Sequence, residues 1–247
     1  MFYPVLLTFV AFASAIVSGM TGLGGGTLLV AAMFTSGLAP KVAVPVHAAV
    51  QLASNGARTV VFAKHVHWIS LAVFMIGALP TPFFAGKWVT KVDAQWVRFA
   101  MALFILVVTW GAALIAKLKL ENPVGVLIAG VLAGGVGMIV GATGTLIAPF
   151  FLREDWKKET TIGTKAVCQA SAHVVKIFAF STLGFAFERH LLLIGPMAVA
   201  VVGGTVLGKK LGQRLSEERF KLIFRLLLTA LAGKLLFSAL WTIIGRK

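Results

Sequence analysis

The sequence predicts an all-α, polytopic helical membrane protein of about eight spans, built from two four-span repeats with glycine-broken helices. Three observations predict this fold: an apolar composition, a series of apolar segments long enough to cross a bilayer, and an internal repeat. Of the 247 residues, 59% are hydrophobic and 13% are charged, whereas soluble domains average about 45–50% and about 25%. This composition excludes a soluble enzyme, a nucleic-acid-binding domain and a disordered chain.

The chain is strongly basic, with 23 Lys and Arg against 8 Asp and Glu. In a membrane protein the first explanation is the excess of basic residues in cytoplasmic loops, and attraction of an anionic substrate is the second. The lone Cys168 excludes an internal disulfide and a multi-cysteine metal site. We therefore expect no cofactor and no bound metal, and the apolar composition argues against a nucleic-acid partner.

Eight apolar segments reach or approach the roughly 20 residues that a helix needs to cross a bilayer. They cover residues 4–36, 42–63, 68–86, 97–116, 123–152, 162–186, 190–208 and 220–244. Connections after the first, third, fifth and seventh segments hold twelve Lys and Arg, and those on the opposite side hold six. The first set is predicted to be cytoplasmic, which places both termini outside. Because no Lys or Arg precedes the first segment, we interpret it as an uncleaved span rather than a signal peptide.

The chain repeats itself at an offset of 118 residues. The segment Gly26-Thr27-Leu28-Leu29 recurs as Gly144-Thr145-Leu146-Ile147, and the same shift places Gln51 on Gln169. We predict that residues 1–120 and 121–247 are two transmembrane repeats within one integral-membrane domain. Four spans in each repeat predict a parallel arrangement, whereas an odd number of crossings would make the repeats inverted.

The first and fifth segments are each about thirty residues long and carry a glycine cluster in the middle. Glycine disfavours a continuous helix, so we predict a break in each, with freed backbone N–H groups facing a cavity. A helix beginning near Gly26 or Gly144 would direct its positive end at an anion. The candidate substrate-binding residues here are Gly25, Gly26, Thr27, Gly144 and Thr145. The alternative is that the glycines serve only close helix packing.

Polar side chains form a stripe along one helix face in the second and the sixth segments. The stripes consist of His47, Gln51, Ser54, Asn55 and Arg58, and of Lys165, Gln169, His173 and Lys176. Charges deep in a bilayer normally face a bundle interior or water, and cations and amides without carboxylates suit an anion. We predict that the substrate pathway is lined by Gln51, Asn55, Arg58, Gln169, His173 and Lys176.

Two alternatives for these stripes stay open. Arg58 and Lys176 lie late in their segments, where a long side chain can extend to the interface. The glutamines can instead hydrogen-bond between helices. If transport is coupled to protons, His47 or His173 is the expected titrating group.

Three motifs carry a family resemblance: residues 22–29 (GLGGGTLL), 144–151 (GTLIAPFF) and 164–176 (TKAVCQASAHVVK). They resemble the TauE/SafE sulfite exporter family, also called the toluene-sulfonate uptake permeases, over nearly the whole chain. The resemblance implies a multi-pass secondary transporter or permease of a bacterial inner membrane. It would move sulfite, sulfonates or related organosulfur anions without an ATPase domain. Ala31 stands where the second half has Pro149, which predicts a gentler bend in the first half.

Other functions remain as alternatives. An anion channel could have the same lining, and a membrane scaffold would turn the polar stripes toward a partner chain. An intramembrane enzyme is disfavoured because the sequence contains neither H-E-x-x-H nor G-x-S-x-G. The expected partners are a small anionic substrate and membrane lipid, with a homo-oligomer left open.

Overall fold

The computed structural model describes residues 2–21, 24–89, 91–111, 114, 120, 122–211 and 217–245, and within these ranges the chain contains helices and no strand. The α-helices are α1 (Phe2–Thr21), α2 (Gly25–Thr35), α3 (Pro40–Val61), α4 (Trp68–Ala78), α5 (Thr81–Val89), α6 (Ala94–Trp110), α7 (Pro123–Val140), α8 (Lys158–Thr182), α9 (Leu191–Leu211) and α10 (Glu217–Ile244). Short 3₁₀ helices cover Ala63–His65, Ala148–Phe151 and Phe187–His190. The all-α prediction is confirmed.

Four helical segments among the described residues are long and apolar enough to cross a membrane. They are Trp68–Trp88, Pro123–Val140, Phe187–Leu211 and Arg225–Ile244, and shorter apolar helices cover Pro4–Met20, Gly25–Thr35 and Ala94–Trp110. Helices α3 and α8 are in neither group. Their polar stripes lower the mean hydropathy, and a membrane-spanning helix is recognised by high mean hydropathy. A membrane protein with several apolar helices is therefore observed, and the number of eight spans stays a prediction.

The two predicted helix breaks are present. Helix α1 ends at Thr21 and α2 begins at Gly25, after Gly24 with a φ of +79°. Helix α7 ends at Val140, before Gly141 with a φ of +79°. Only glycine adopts such left-handed conformations without strain, so each break depends on its glycine.

The two breaks continue differently. After Gly24 the chain forms α2, as predicted for a helix beginning near Gly26. The matching prediction for Gly144 is wrong, because turns and then the 3₁₀ helix Ala148–Phe151 follow instead. Pro149 lacks an N–H and its ring would clash with the carbonyl four residues earlier in an α-helix. Ala31 allows α2 to continue at the matching place.

Helices α1 and α2 form a hairpin. A methyl group added to Gly25 at the start of α2 would lie against the carbonyl of Ser14 and 2.6 Å from the Cβ of Ser18. Both serines belong to the last two turns of α1, so α2 folds back along α1 from the break. The hairpin brings the start of α2 into the interior of the protein.

Helices α3 and α8 pack against each other in opposite directions. Phe62, just after the end of α3, contacts Gly163 near the start of α8, with 3.0 Å between the Phe62 Cβ and an added Gly163 methyl group. Further along, the rings of His47 and His173 lie edge to face with centroids 6.2 Å apart. The N-terminal part of each helix therefore lies beside the C-terminal part of the other.

In each of two other helix pairs, the two helices run in the same direction. Along α1 and α9, Gly204 lies against Phe12, and one turn further Gly208 lies against Ile16. Along α4 and α7, Gly130 similarly lies against Phe74. At the 118-residue offset α1 matches α7, and α4 matches α9. The contact of α1 with α9 therefore has its counterpart in the contact of α7 with α4.

The direction of α3 and α8 corrects one expectation. These helices match each other at the 118-residue offset, and a parallel repeat would make them run in the same direction. They run in opposite directions, which does not fit a parallel repeat. The sequence alone does not decide this, because the α1–α2 hairpin lies within one apolar segment.

Two apolar clusters enclose the polar helices. The larger one joins side chains of α1, α2, α3, α6, α9 and α10, including Leu29, Val46 and Met101. The smaller one joins α4, α7, α8 and the 3₁₀ helix Ala148–Phe151, and it contains Phe74 and Cys168. Cys168 is fully buried there, as expected of a small apolar filler.

Close packing of α1 on α9 gives a stability prediction. In Gly204→Ala the added methyl group meets the carbonyl of Phe12 and lies 2.9 Å from the Cβ of Ala15. Overpacking of this kind costs about 1–3 kcal/mol, so we expect a lower apparent melting temperature in detergent, measured by fluorescence size-exclusion chromatography.

The control is Gly195→Ala on the same helix, where nothing lies within 4 Å of the added methyl group. The higher helix propensity of alanine, about 1 kcal/mol, should leave this variant at or above the wild-type melting temperature. A Gly204→Ala protein as stable as Gly195→Ala would show that α1 and α9 are not in tight contact.

Candidate functional site

A polar cavity lies between the α1–α2 hairpin, α3, the turn after α7, and α8. Its walls are formed by Ser18, Gly24, Gly25, Gly26, Thr27, His47, Gln51, Asn55, Arg58, Ala142, Thr143, Gly144, Lys165, Gln169 and His173. The centre of a water molecule can move within about 20 Å³ of it, which is room for one or two waters. The cavity is thus narrow in this conformation and must widen to admit an anion of several heavy atoms.

Most of the predicted binding residues meet in this cavity. The predicted residues in its wall are Gly25, Gly26, Thr27, Gln51, Asn55, Arg58, Gly144, Gln169 and His173. Thr145 and Lys176 are not in the wall. The two glycine clusters and the two polar stripes, which are far apart in the sequence, are therefore brought together at one place.

Thr145 lies beside the cavity and contacts its own counterpart. The hydroxyl oxygens of Thr27 and Thr145 are 3.1 Å apart and share a hydrogen bond in which either can donate. The two residues are separated by the 118 positions of the sequence repeat. The hydrogen bond joins the two broken segments directly.

Lys176 lies outside the cavity wall. It is 1% exposed, and its Nζ donates to the carbonyl oxygen of Gly141 at 3.2 Å. This carbonyl lies at the C-terminal end of α7, where the helix dipole favours a positive charge. Lys176 therefore stabilises the break after α7 in this conformation.

Each broken segment leaves room for one glutamine. A methyl group added to Gly26 would be 3.3 Å from the Cδ of Gln51, and one added to Gly144 would be 2.7 Å from the Nε2 of Gln169. The glycines thus let each side-chain amide lie directly on the backbone. The matching arrangement in the two halves places the two amides on the cavity wall.

The histidines supply further polar atoms. The Nε2 of His47 lies 2.9 Å from the carbonyl oxygen of Gly26, and it donates there because a carbonyl only accepts. His173 is 4% exposed, and its Nδ1 has no hydrogen-bond partner among the described residues. A buried polar atom without a partner is rare in folded proteins, and this one belongs to a side chain of the cavity wall.

Arg58 is held inside the protein. Its Nη2 donates to Ser18 at 3.0 Å and to Ser54 at 2.9 Å, whereas its Nε has no partner among the described residues. The side chain is 7% exposed. Extension to the membrane interface, the alternative considered for Arg58 and Lys176, does not describe either side chain in this structure.

The balance of buried charge is one-sided. Arg58, Lys165 and Lys176 are all buried, and no Asp or Glu belongs to the buried side chains that the structure describes. An ion pair joins Arg153 and Asp155 in a connecting loop. Buried cations need nearby groups that compensate for the lost water, and charged hydrogen-bond donors are well suited to oxyanions.

No group of His, Cys, Asp and Glu that could hold a metal ion occurs in the described part of the chain. The cations and amides of the cavity wall are hydrogen-bond donors, which suit oxyanions rather than metal ions.

Sequence reasoning did not select every residue of the wall. The additional members are Ser18, Gly24, His47, Ala142, Thr143 and Lys165. His47 and Lys165 carried a usable signal, because they lie on the same helix faces as the glutamines and match each other at the 118-residue offset. Ser18 carried none, since only the hairpin brings the end of α1 against Arg58.

Comparison with known protein families identifies the family of the chain. Residues 7–235 match the family model described as sulfite exporter TauE/SafE. The chain belongs to the TauE/SafE sulfite exporter family. This membership, together with the apolar helices, makes the protein a membrane transport protein for sulfur compounds. No curated protein and no solved structure matches the chain significantly.

The packing of Gln169 on Gly144 gives a second prediction for this TauE/SafE protein. In Gly144→Ala the added methyl group must displace the Gln169 amide, which is the flexible end of its side chain. A hydrogen bond to a charged group, here the bound anion, is worth about 1.5–3 kcal/mol. We expect a rise of about ten- to a hundredfold in the half-saturating anion concentration for uptake into proteoliposomes, with little change in melting temperature.

The matched control is Gly56→Ala on α3, where nothing lies within 4 Å of the added methyl group. Gly26→Ala should have a smaller effect than Gly144→Ala, since its methyl group is 3.3 Å from Gln51. Equal half-saturating concentrations for the wild-type, Gly56→Ala and Gly144→Ala proteins would remove the Gln169 amide from binding.

Proposed function

We propose that the protein is a secondary transporter that carries small sulfur-containing anions, such as sulfite, sulfonates or related organosulfur compounds, across a bacterial inner membrane. The observation that carries this proposal is the cavity itself. It combines buried cations and side-chain amides of the two polar helices with glycines and threonines of the two broken segments, and no carboxylate is buried among the described residues.

The donors of the cavity wall support an oxyanion as the substrate. An anion that leaves water must exchange its hydration shell for protein hydrogen bonds. Gln51, Asn55 and Gln169 offer side-chain N–H groups, and Arg58 and Lys165 offer charged donors. Hydrogen bonds from charged donors are roughly twice as strong as neutral ones, so the cations supply much of the affinity.

The narrowness of the cavity favours a transporter over an anion channel. A channel conducts through a continuous pathway with weak sites, whereas this cavity has room for one or two waters in the present conformation. Lys176, which the sequence placed in the pathway, is bonded to Gly141 outside the cavity wall. An alternating change of shape is needed for an anion to pass.

An inverted repeat provides such a change. We propose that residues 1–120 and 121–247 are related by an axis in the membrane plane. The opposite directions of α3 and α8 and the corresponding contacts of α1 with α9 and of α7 with α4 support this arrangement. Many transporters expose one central site to each side in turn by rocking inverted repeats against each other.

The deciding experiment is a flux assay with purified protein in proteoliposomes. Sulfite, thiosulfate, sulfate and several sulfonates are offered with and without a pH gradient. Accumulation of a sulfur anion above its external concentration, driven by an ion gradient, is the expected result. Movement that only follows the anion's own gradient would make the protein a channel, and no flux of any sulfur anion would overturn the proposal.

Arg58 provides the sharpest variant for this function. Arg58→Gln removes the charge but keeps an N–H donor near Ser18 and Ser54. A hydrogen bond to a charged group is worth about 1.5–3 kcal/mol, so we expect sulfur-anion flux at low substrate concentration to fall by about ten- to a hundredfold. Proteoliposome uptake, normalised to reconstituted protein, measures it.

Lys234→Gln serves as the control, because it removes one cation from α10 at an exposed position outside the cavity wall. Its flux should stay near that of the wild-type protein, and Arg58→Lys should recover part of the loss. Flux in Arg58→Gln equal to that in Lys234→Gln would remove Arg58 from the pathway.

The contact of Thr27 with Thr145 allows a test of the shape change. With the hydroxyl oxygens 3.1 Å apart, a cysteine pair at these positions is close enough for a disulfide. We expect oxidation of Thr27→Cys/Thr145→Cys, made in a Cys168→Ser background, to stop uptake and reduction to restore it. The assay uses a sulfonate, since sulfite itself cleaves disulfides.

Each single cysteine variant in the same background is the control and should transport equally with and without oxidant. Undiminished uptake by the fully cross-linked double variant would show that the broken segments stay in contact throughout the transport cycle.

A further inference from the structure

The buried basic residues form two pairs at opposite ends of the α3–α8 contact. Because these helices run in opposite directions, Arg58 in the last turns of α3 lies at the same end as Lys165 in the early part of α8. His47 in the early part of α3 lies at the other end, together with Lys176 in the later part of α8. The 118-residue offset exchanges the two pairs, since it matches His47 with Lys165 and Arg58 with Lys176.

The spacing along the helices separates the two pairs by the same distance on each helix. Arg58 is 58 − 47 = 11 residues from His47, and Lys176 is 176 − 165 = 11 residues from Lys165. At 1.5 Å per residue, this is about 16 Å along the axis. Gln51 and Gln169 lie between the pairs, each one helical turn from its nearer pair. These basic and amide side chains therefore form a continuous series from one pair to the other, which we call the ladder.

The two ends of the ladder differ in this conformation. Arg58 and Lys165 are both in the cavity wall. At the other end Lys176 is bonded to the carbonyl of Gly141, and the Nδ1 of His47 is 3.6 Å from the position of an added Gly141 methyl group. The turn after α7 therefore lies against both residues of the second pair. His47 of this pair is in the cavity wall and Lys176 is not, whereas both residues of the first pair are in the wall.

We propose that His47 and Lys176 form a second anion position, which takes over from the Arg58–Lys165 position when the cavity opens to the other side of the membrane. This inference rests on the proposed transport function. When the turn at Gly141 moves away, Lys176 exchanges the Gly141 carbonyl for the anion, and the glutamines between the pairs hand the anion from one end to the other.

Two observations support a site at the second end. The Nδ1 of His173 is buried without a hydrogen-bond partner among the described residues, and in the tautomer that carries its proton on Nδ1 it can donate to an anion. A methyl group added to Gly137 would be 3.1 Å from the Nζ of Lys176. The lysine amine therefore lies directly against the backbone of α7, with no side chain between them.

Sided labelling of introduced thiols tests the proposal. Arg58→Cys and Lys176→Cys are made separately in a Cys168→Ser background and reconstituted in sealed, oriented vesicles. A membrane-impermeant methanethiosulfonate is then added to one face at a time. We expect the thiol at position 58 to react from one face and the thiol at position 176 from the opposite face.

Protection by a bound anion adds a second readout. Ethanesulfonate, or whichever sulfonate the wild-type protein carries, is used because sulfite reacts with the reagent. The sulfonate is added at about ten times the half-saturating concentration measured for each variant. Bound sulfonate should then slow labelling at both positions by about tenfold, since the free fraction of the protein falls to 1/(1 + [L]/Kd). The Cys168→Ser parent shows the background labelling.

Three results would overturn the inference: labelling of Lys176→Cys from the same face as Arg58→Cys, no labelling of it from either face, or labelling that the anion leaves unchanged. If Lys176→Cys does not fold, Gly137→Cys reports access beside the Lys176 amine and is judged in the same way. Failure of the proposed function is distinct, because wild-type proteoliposomes would then carry no sulfur anion at all.

Discussion

Burial of positive charge, with no buried carboxylate among the residues that the structure describes, is the constraint on which the rest of this structure depends. Arg58, Lys165 and Lys176 lie inside a protein whose surroundings are apolar, and a charge in such a place is unfavourable without compensation. The compensation comes from serine hydroxyls for Arg58 and from a helix-terminal carbonyl for Lys176. These partners are neutral, so they do not cancel the positive charges of Arg58 and Lys176.

The glycines convert this constraint into a site. Gly24 and Gly141 allow the chain to leave the helix, and irregular backbone within a membrane protein is tolerated when protein or a cavity surrounds it. Gly26 and Gly144 then let the glutamine amides approach the backbone closely. The same short segments thus form the helix breaks and the surfaces on which the glutamine amides lie. Each half of the chain contains one such segment.

Much of this arrangement could be predicted from the sequence, because composition and side-chain spacing are local properties. The stripes of Gln51 and Gln169 predicted a shared polar interior, and the structure places both in one cavity wall. The relative direction of the halves could not be predicted, since it depends on how α2 folds back on α1. The place of Lys176 was also out of reach, because its partner Gly141 lies 35 residues away and binds through backbone alone.

The meeting of Thr27 with Thr145 has a consequence for how the two halves can diverge. A residue that touches its own duplicate must be complementary to itself, and a hydroxyl meets this condition because it both donates and accepts. A lysine or an aspartate in both copies would confront a like charge, and a pure donor would leave one hydrogen without an acceptor. A substitution at one of these two positions therefore requires a compensating substitution at the other. Residues further from the contact can change independently in the two halves.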